Sequence, residues 1–252
     1  MSYLNFIRDE HLLKCIHNLY LTYSQCQQQM TMTKFYSNKV DPIKFHFDMS
    51  FNHIDPQNYI DLEIIRQNDK TISNAIGYFH QNLLGGIAGF ENMGVGGGCD
   101  IRKLDNTIFA EVKNKHNTMN SSSAEATYQK LEKFANDYPN ATCYLVEIIA
   151  KKSQNIQWSA SLNGKNYNHP RVRRISADKF YELATGRANA FKELCEVLPR
   201  ATQDYLKSIC GNNTNNNTSG NLYNTIHQRA KLNNLDILSQ IMKDNFNDYN
   251  GF

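Results

Sequence analysis

The chain predicts an α/β fold: a mixed central β-sheet flanked by helices, with additional helices toward both ends. Three observations carry this. Residues 99–104 and 107–113 read as two strands of a hairpin around Asp105-Asn106, rich in residues that suit strands and broken by turn formers. Residues 123–137 then show helical spacing, and 142–150 form a continuous apolar run of strand length. Strand, helix and buried strand in that order belong to a layered α/β core.

The remaining elements follow along the chain. Residues 4–30 place Leu12, Leu13, Ile16, Leu19, Tyr20 and Tyr23 at helical spacing. Residues 39–56 carry two prolines and the alternating aromatics Phe45 and Phe47, and read as a connection or short edge strand. Residues 57–84 form a long amphipathic helix that Gly85-Gly86 ends. The glycine-rich residues 94–98 lack the Gly-Lys-Ser/Thr of a phosphate-cradling loop and precede a strand, so their use is to let the backbone approach DNA or to turn sharply into Asp100. Asn163-Gly164 marks a two-residue hairpin, and helices are expected over 177–185 and 187–209. Residues 211–221 are dominated by asparagine and offer little surface to bury, so they read as a flexible linker. Beyond them 222–246 form an amphipathic helix, for docking on its own chain or on a partner. The expected organisation is one domain over 1–210, the linker over 211–221 and a helical appendage over 222–252.

At 252 residues and 40% hydrophobic content the chain can build one substantial core, and a net charge of +3 does not by itself indicate a nucleic acid. The six cysteines form no Cys-x-x-Cys and no zinc spacing with histidine, which suits reduced thiols; Cys99 and Cys143 read as small core residues. With no signal segment and no apolar run of membrane-spanning length, the chain is expected to be a soluble cytoplasmic protein without membrane partners.

The chemistry concentrates in the first hairpin. Glu111 and Lys113 share one strand face while Ala110 and Val112 take the other, and the paired strand brings Asp100 close to Glu111. Two carboxylates facing each other repel unless a cation lies between them. A hard ion such as Mg²⁺ resolves that conflict while keeping waters and accepting phosphate oxygens. Lys113 then lies beside a metal-bound water and can orient it for attack on a phosphodiester. Glu-x-Lys also arises by chance on solvated strands. Here it occurs once in the chain, no Asp-x-Lys accompanies it, and apolar residues flank it. Glu63, on the long helix, is a candidate additional acid; a solvated helix glutamate is the competing reading.

The strand leads into a run of hydrogen-bonding side chains suited to a DNA-facing loop, including Lys115, His116, Asn117, Asn120, Ser121 and Ser122. Between Glu147 and Asp178 there is no acid, while Lys151, Lys152, Lys165, His169, Arg171, Arg173 and Arg174 fall there, a local basic field of the kind that meets phosphates. Arg171 and Arg173 alternate onto one face and are favoured as guanine readers, with simple phosphate neutralisation the alternative.

These residues resemble the PD-(D/E)xK nuclease superfamily. Asp100, Glu111 and Lys113 stand where its metal-binding and water-activating residues stand. The wording of residues 98–101, 111–123 and 144–152 resembles type II restriction endonucleases that cut GGNCC-type palindromes, over residues 3–209 and not the tail. One departure is Cys99, where the superfamily has proline before the first Asp. The resemblance implies the PD-(D/E)xK nuclease core and Mg²⁺ held by Asp100, Glu111 and Val112. It also implies a homodimer acting on double-stranded DNA, 5′-phosphate ends, and a cognate DNA methyltransferase in the same system without a stable complex. A repair or recombination nuclease on the same core, and a non-catalytic DNA-binding module, are the alternatives.

Overall fold

The computed structural model describes residues 2–94, 96–209 and 219–245. Its helices and strands run, in chain order, α1 (Asp9–Gln27), α2 (Met32–Ser37), α3 (Pro42–Asn52), α4 (Pro56–Gly85), β1 (Phe90–Asn92), β2 (Ile101–Lys103) and β3 (Ile108–Lys115). There follow α5 (Ser121–Asp137), β4 (Thr142–Ile149), β5 (Asn155–Gln157), β6 (Ala160–Leu162), β7 (Lys165–Tyr167) and β8 (Val172–Ser176). Helices α6 (Ala177–Thr185), α7 (Ala190–Ile209), α8 (Ser219–Leu232) and α9 (Ile237–Asn245) complete the described chain. No described helix is long and apolar enough to cross a membrane. Contacts divide the chain into two units, Met1–Leu19 with Ala75–Gly211 and Tyr20–Asn74 with Asn212–Phe252.

The first unit holds a six-stranded mixed sheet in the order β1-β2-β3-β4-β8-β5. β3, β4 and β8 run parallel in its middle, and β1, β2 and β5 are antiparallel to their neighbours. The parallel pair β3–β4 needs a crossover, and α5 supplies it. Asn120 caps that helix by accepting from Ser123 N at 2.9 Å. Parity along the strands sorts their side chains between two layers. Phe109, Cys143, Leu145 and Val172 form an apolar cluster with Tyr128, Leu131 and Ala135 of α5. On the other face Tyr144 meets Phe180 of α6, ring centroids 5.9 Å apart. Asn163 and Gly164 take positive φ of 49° and 78° and join β6 to β7 as their dipeptide predicts.

The second unit departs further from expectation. Residues 39–56 contain helix α3, where a connection or edge strand was expected. Asp41 accepts from Ile43 N and Lys44 N, and Pro42 occupies the first turn, where its missing N–H costs nothing. Residues 222–245 form two helices instead of one. They are no appendage, because Leu222, Ile226, Ile237 and Ile241 are buried in one cluster with Phe35, Phe45, Tyr59, Ile60 and Ile64. Burial of those apolar side chains is what orders the tail. The division at 210 into domain, linker and appendage is therefore replaced by two units whose segments alternate along the chain. The linker assigned to 211–221 lies mostly outside the described residues, and Ser219–Asn221 already belong to α8.

Candidate active site

β2 is short, and Asp100 immediately precedes it. Its N–H donates to Ala110 O at 3.1 Å, and the register Ile101↔Ala110 continues to place Asp100 across from Glu111. Gly98 has a φ of +85°, and a Cβ there would lie 2.9 Å from the Phe134 ring, so glycine is required at the approach to Asp100. Beyond the end of β2, the N–H of Val112 would lack a strand partner; the Asp100 carboxylate takes it at 2.7 Å. Backbone thus fixes that carboxylate beside the middle of β3.

Glu111 is only 3% exposed. Its Oε1 accepts from Lys130 Nζ of α5 at 2.9 Å, and its Oε2 lies 3.7 Å from Lys113 Nζ. Burial pushes its carboxyl above the ordinary glutamate value, and the Asp100 charge pushes it the same way; Lys130 and Lys113 oppose both. A buried glutamate whose charged form is disfavoured by a neighbouring aspartate is a site that gains from a bound cation. Its side-chain donors are hard carboxylate oxygens. Among the described residues no group of three or more His, Cys, Asp or Glu is placed for a metal. Two carboxylates with water and phosphate completing the shell still suit an ion such as Mg²⁺.

The sequence-predicted residues divide by position. At the C-terminal ends of β3 and β4, the segment from Lys115 at the end of β3 through His116, Asn117 and Asn120 to Ser121 and Ser122 at the start of α5 is tied to β4 by His116 N donating to Ile149 O at 3.1 Å. Lys151 and Lys152 follow β4 at the same end and are exposed. Ligands of open α/β sheets gather at that end. Arg171 and His169 lie at the other end. Arg171 donates to Tyr138 O and Ala141 O at 2.9 and 2.8 Å, ahead of β4, roughly 23 Å of strand away from Ile149. Its own N–H donates to His169 Nδ1 at 3.1 Å. Arg173 donates twice to Asn155 at 2.6 Å. Arg174 pairs with Glu147 and lies over the Trp158 ring. The structure thus gives the two favoured base readers, Arg171 and Arg173, structural partners within their own chain. Glu63 belongs to the second unit, where its carboxylate accepts from Arg66 at 2.6 and 2.7 Å and from Gln67 at 2.8 Å.

Two residues escaped the sequence reading. Lys130 reaches Glu111 only through the packing of α5 on the sheet, which no local pattern announces. Glu147, 1% exposed, had a signal: it is the single charge in the apolar run of β4.

A paired aspartate and buried glutamate with a strand-mate lysine, centred on a mixed sheet with helices on both faces, define a restriction-endonuclease type of nuclease core. The chain belongs to the Eco47II restriction endonuclease family, whose family model matches residues 4–207. The type II restriction enzyme Sau96I of Staphylococcus aureus is 38% identical, over 97% of this chain and 96% of that protein. The type II restriction enzyme Eco47II of Escherichia coli is 32% identical, over 84% of this chain and 91% of that protein. Likeness to Sau96I therefore runs on through most of the tail, where the sequence resemblance was expected to stop at 209.

Proposed function

We propose that the chain is a Mg²⁺-dependent type II site-specific deoxyribonuclease that cuts both strands of double-stranded DNA at a GGNCC-type palindrome and leaves 5′-phosphate ends. The observation that carries this reading is the buried Glu111, set across from Asp100 and 3.7 Å from Lys113, in a chain of a restriction endonuclease family.

Asp100, Glu111 and the Val112 main-chain oxygen would hold the ion. When bound it acidifies a water and neutralises charge growing on the scissile phosphate. Lys113 hydrogen-bonds the attacking water and aims it in line with the leaving 3′ oxygen. Its ammonium also offsets negative charge on the phosphorane-like transition state. Lys130 holds Oε1 of Glu111, which leaves Oε2 facing Lys113. The loop from Lys115 to Ser122, with Lys151 and Lys152, meets phosphates and base edges at the C-terminal ends of the strands. Cutting both strands of a palindrome calls for a twofold homodimer, since protein symmetry mirrors site symmetry. The setting is the cytoplasm, beside a methyltransferase that protects the same sites.

The test is digestion of a plasmid of known sequence with Mg²⁺ or with EDTA. Discrete Mg²⁺-dependent fragments whose ends map to GGNCC-type sites are expected. A metal-dependent smear would keep the chemistry and discard the specificity, as a repair nuclease would behave. Sequence-specific retention of an uncut plasmid would indicate a binding module instead.

A further inference from the structure

Lys113 does not stand alone on its face of the sheet. Parallel register sets Lys113 opposite Glu147 of β4, and Glu147 opposite Ser176 of β8, while Glu111, Leu145 and Arg174 align one step earlier. Residues opposite one another in register point to the same side of a sheet. Charges along this face therefore alternate: Glu111, Lys113, Glu147, Arg174. Glu147 is 1% exposed and its cation is Arg174. Its other donor is the neutral Gln154, at 3.5 Å. Arg174 is itself fixed, stacked 5.9 Å from the Trp158 ring, its Nε buried and without a partner among the described residues. A guanidinium that is half-buried and held between Glu147 and the Trp158 ring is directed into its own chain.

We propose that Arg174 is a positioning residue for the cleavage reaction: by occupying Glu147 it keeps that carboxylate from drawing the Lys113 ammonium off the attacking water. The inference rests on the nuclease reading of Lys113 above. A buried carboxylate takes the nearest cation, because leaving it unpaired is costly. With Arg174 in place the Glu147 charge is met from β8, and Lys113 keeps its place beside Glu111. Without Arg174, Glu147 competes with Glu111 for Lys113, which lies opposite it in register, while Lys130 stays on Oε1 of Glu111. Displacement of about 1 Å at a reacting centre lowers rates on the order of 100-fold.

The experiment compares the wild type with Arg174→Met, Arg174→Lys and the double variant Glu147→Gln/Arg174→Met. Single-turnover cleavage of a duplex oligonucleotide carrying a GGNCC-type site is measured at saturating enzyme. DNA affinity without metal and thermal melting accompany it. Arg174→Met is expected to cut on the order of 100-fold more slowly with unchanged DNA affinity. Arg174→Lys, which keeps the cation, and the double variant, which leaves no charge to capture Lys113, are expected within about tenfold of the wild type, a non-additive cycle. Should Arg174→Met fail to fold, these two variants still decide: a 100-fold loss in either at unchanged affinity overturns the inference. So does a folded Arg174→Met that cuts at the wild-type rate, or one whose defect is weaker DNA binding relieved at saturation. A wild type that does not cut overturns the nuclease reading and this inference together, whereas a cutting wild type with any of the preceding results overturns this inference alone.

Discussion

On the side of the central sheet that meets α6, strands β3, β4 and β8 carry Ala110, Val112, Tyr144, Val146 and Ile175, all buried and apolar, with Arg173 beside them tied to Asn155 of β5. On the side that meets α5, the same strands carry Glu111, Lys113, Glu147 and Arg174. Both faces arise from one alternation along three strands, so one residue of register separates a largely apolar layer from the layer that carries the proposed catalytic cluster. Even the α5 side is divided. Its N-terminal half is the apolar cluster of Phe109, Cys143, Leu145 and Val172, and its charges gather toward the strand C-termini. The division lets the site be built on a rigid support without the support itself being polar.

Substitutions that separate the two faces test this division. The largest effect on stability belongs to the apolar side. Phe180 is fully buried against Phe90 and Tyr144. Phe180→Ala is expected to cost about 3–5 kcal/mol in chemical denaturation. Cleavage per folded molecule should not change; a rate defect in the folded fraction would mean that the faces are not independent.

His80 of α4 sharpens the contrast between a compensated buried charge and an uncompensated polar group. Burial lowers its pKa to about 4, and its Nδ1 has no partner among the described residues. The unfolded chain binds a proton near pH 6.5 while the fold resists it, so stability is full above 6.5 and declines as pH falls toward 4. The loss reaches up to about 3 kcal/mol. His80→Leu is expected to flatten that part of the curve in melts between pH 7 and 4. An unchanged slope would place the acid sensitivity elsewhere.

Lys151→Ala/Lys152→Ala concerns the loops at the strand C-termini. Removing two phosphate contacts should reduce the slope of log affinity against log salt by about 2 and leave sequence preference intact. A changed preference with the same slope would make these lysines base readers.

Glu111→Gln carries the smallest effect on the fold. Burial and Asp100 raise the Glu111 pKa, so the fold holds that proton more tightly than the unfolded chain does. The contribution of this one carboxyl is therefore fully present below the ordinary glutamate value and is lost as pH rises through the raised one. Glutamine escapes that loss. The variant should melt higher than the wild type at pH 7, with the gap closing on acidification, while cleavage is abolished. A lower melting temperature at pH 7 would mean that the ion pairs with Lys130 and Lys113 outweigh burial.

Much of this was legible because it is local. Asp100, Glu111 and Lys113 lie within one hairpin, where strand parity and a turn at Asp105-Asn106 settle who faces whom. Asn163-Gly164 and the helix over 177–185 were likewise readable from turn chemistry and spacing. Helix α3 was missed because Phe45 and Phe47 mimic strand alternation. Yet Asp41-Pro42 signals a helix start, and Ile43, Phe47 and Phe51 recur every four residues. What lay out of reach is non-local. The pairing of Arg174 with Glu147, the reach of Lys130 to Glu111 and the tie of Arg171 to Tyr138 and Ala141 all depend on strand order and helix packing. A basic stretch in sequence accordingly looked like a DNA surface, although three of its arginines bind their own chain.

The central claim is that the charged face is the catalytic one, and Lys113→Ala tests it most directly. Single-turnover cleavage of a GGNCC-type duplex in Mg²⁺ should fall by at least about 100-fold, the least expected for losing a positioned proton-handling group. DNA affinity without metal and the melting temperature should stay at their wild-type values. Cleavage at the wild-type rate by a folded Lys113→Ala protein would contradict the assignment.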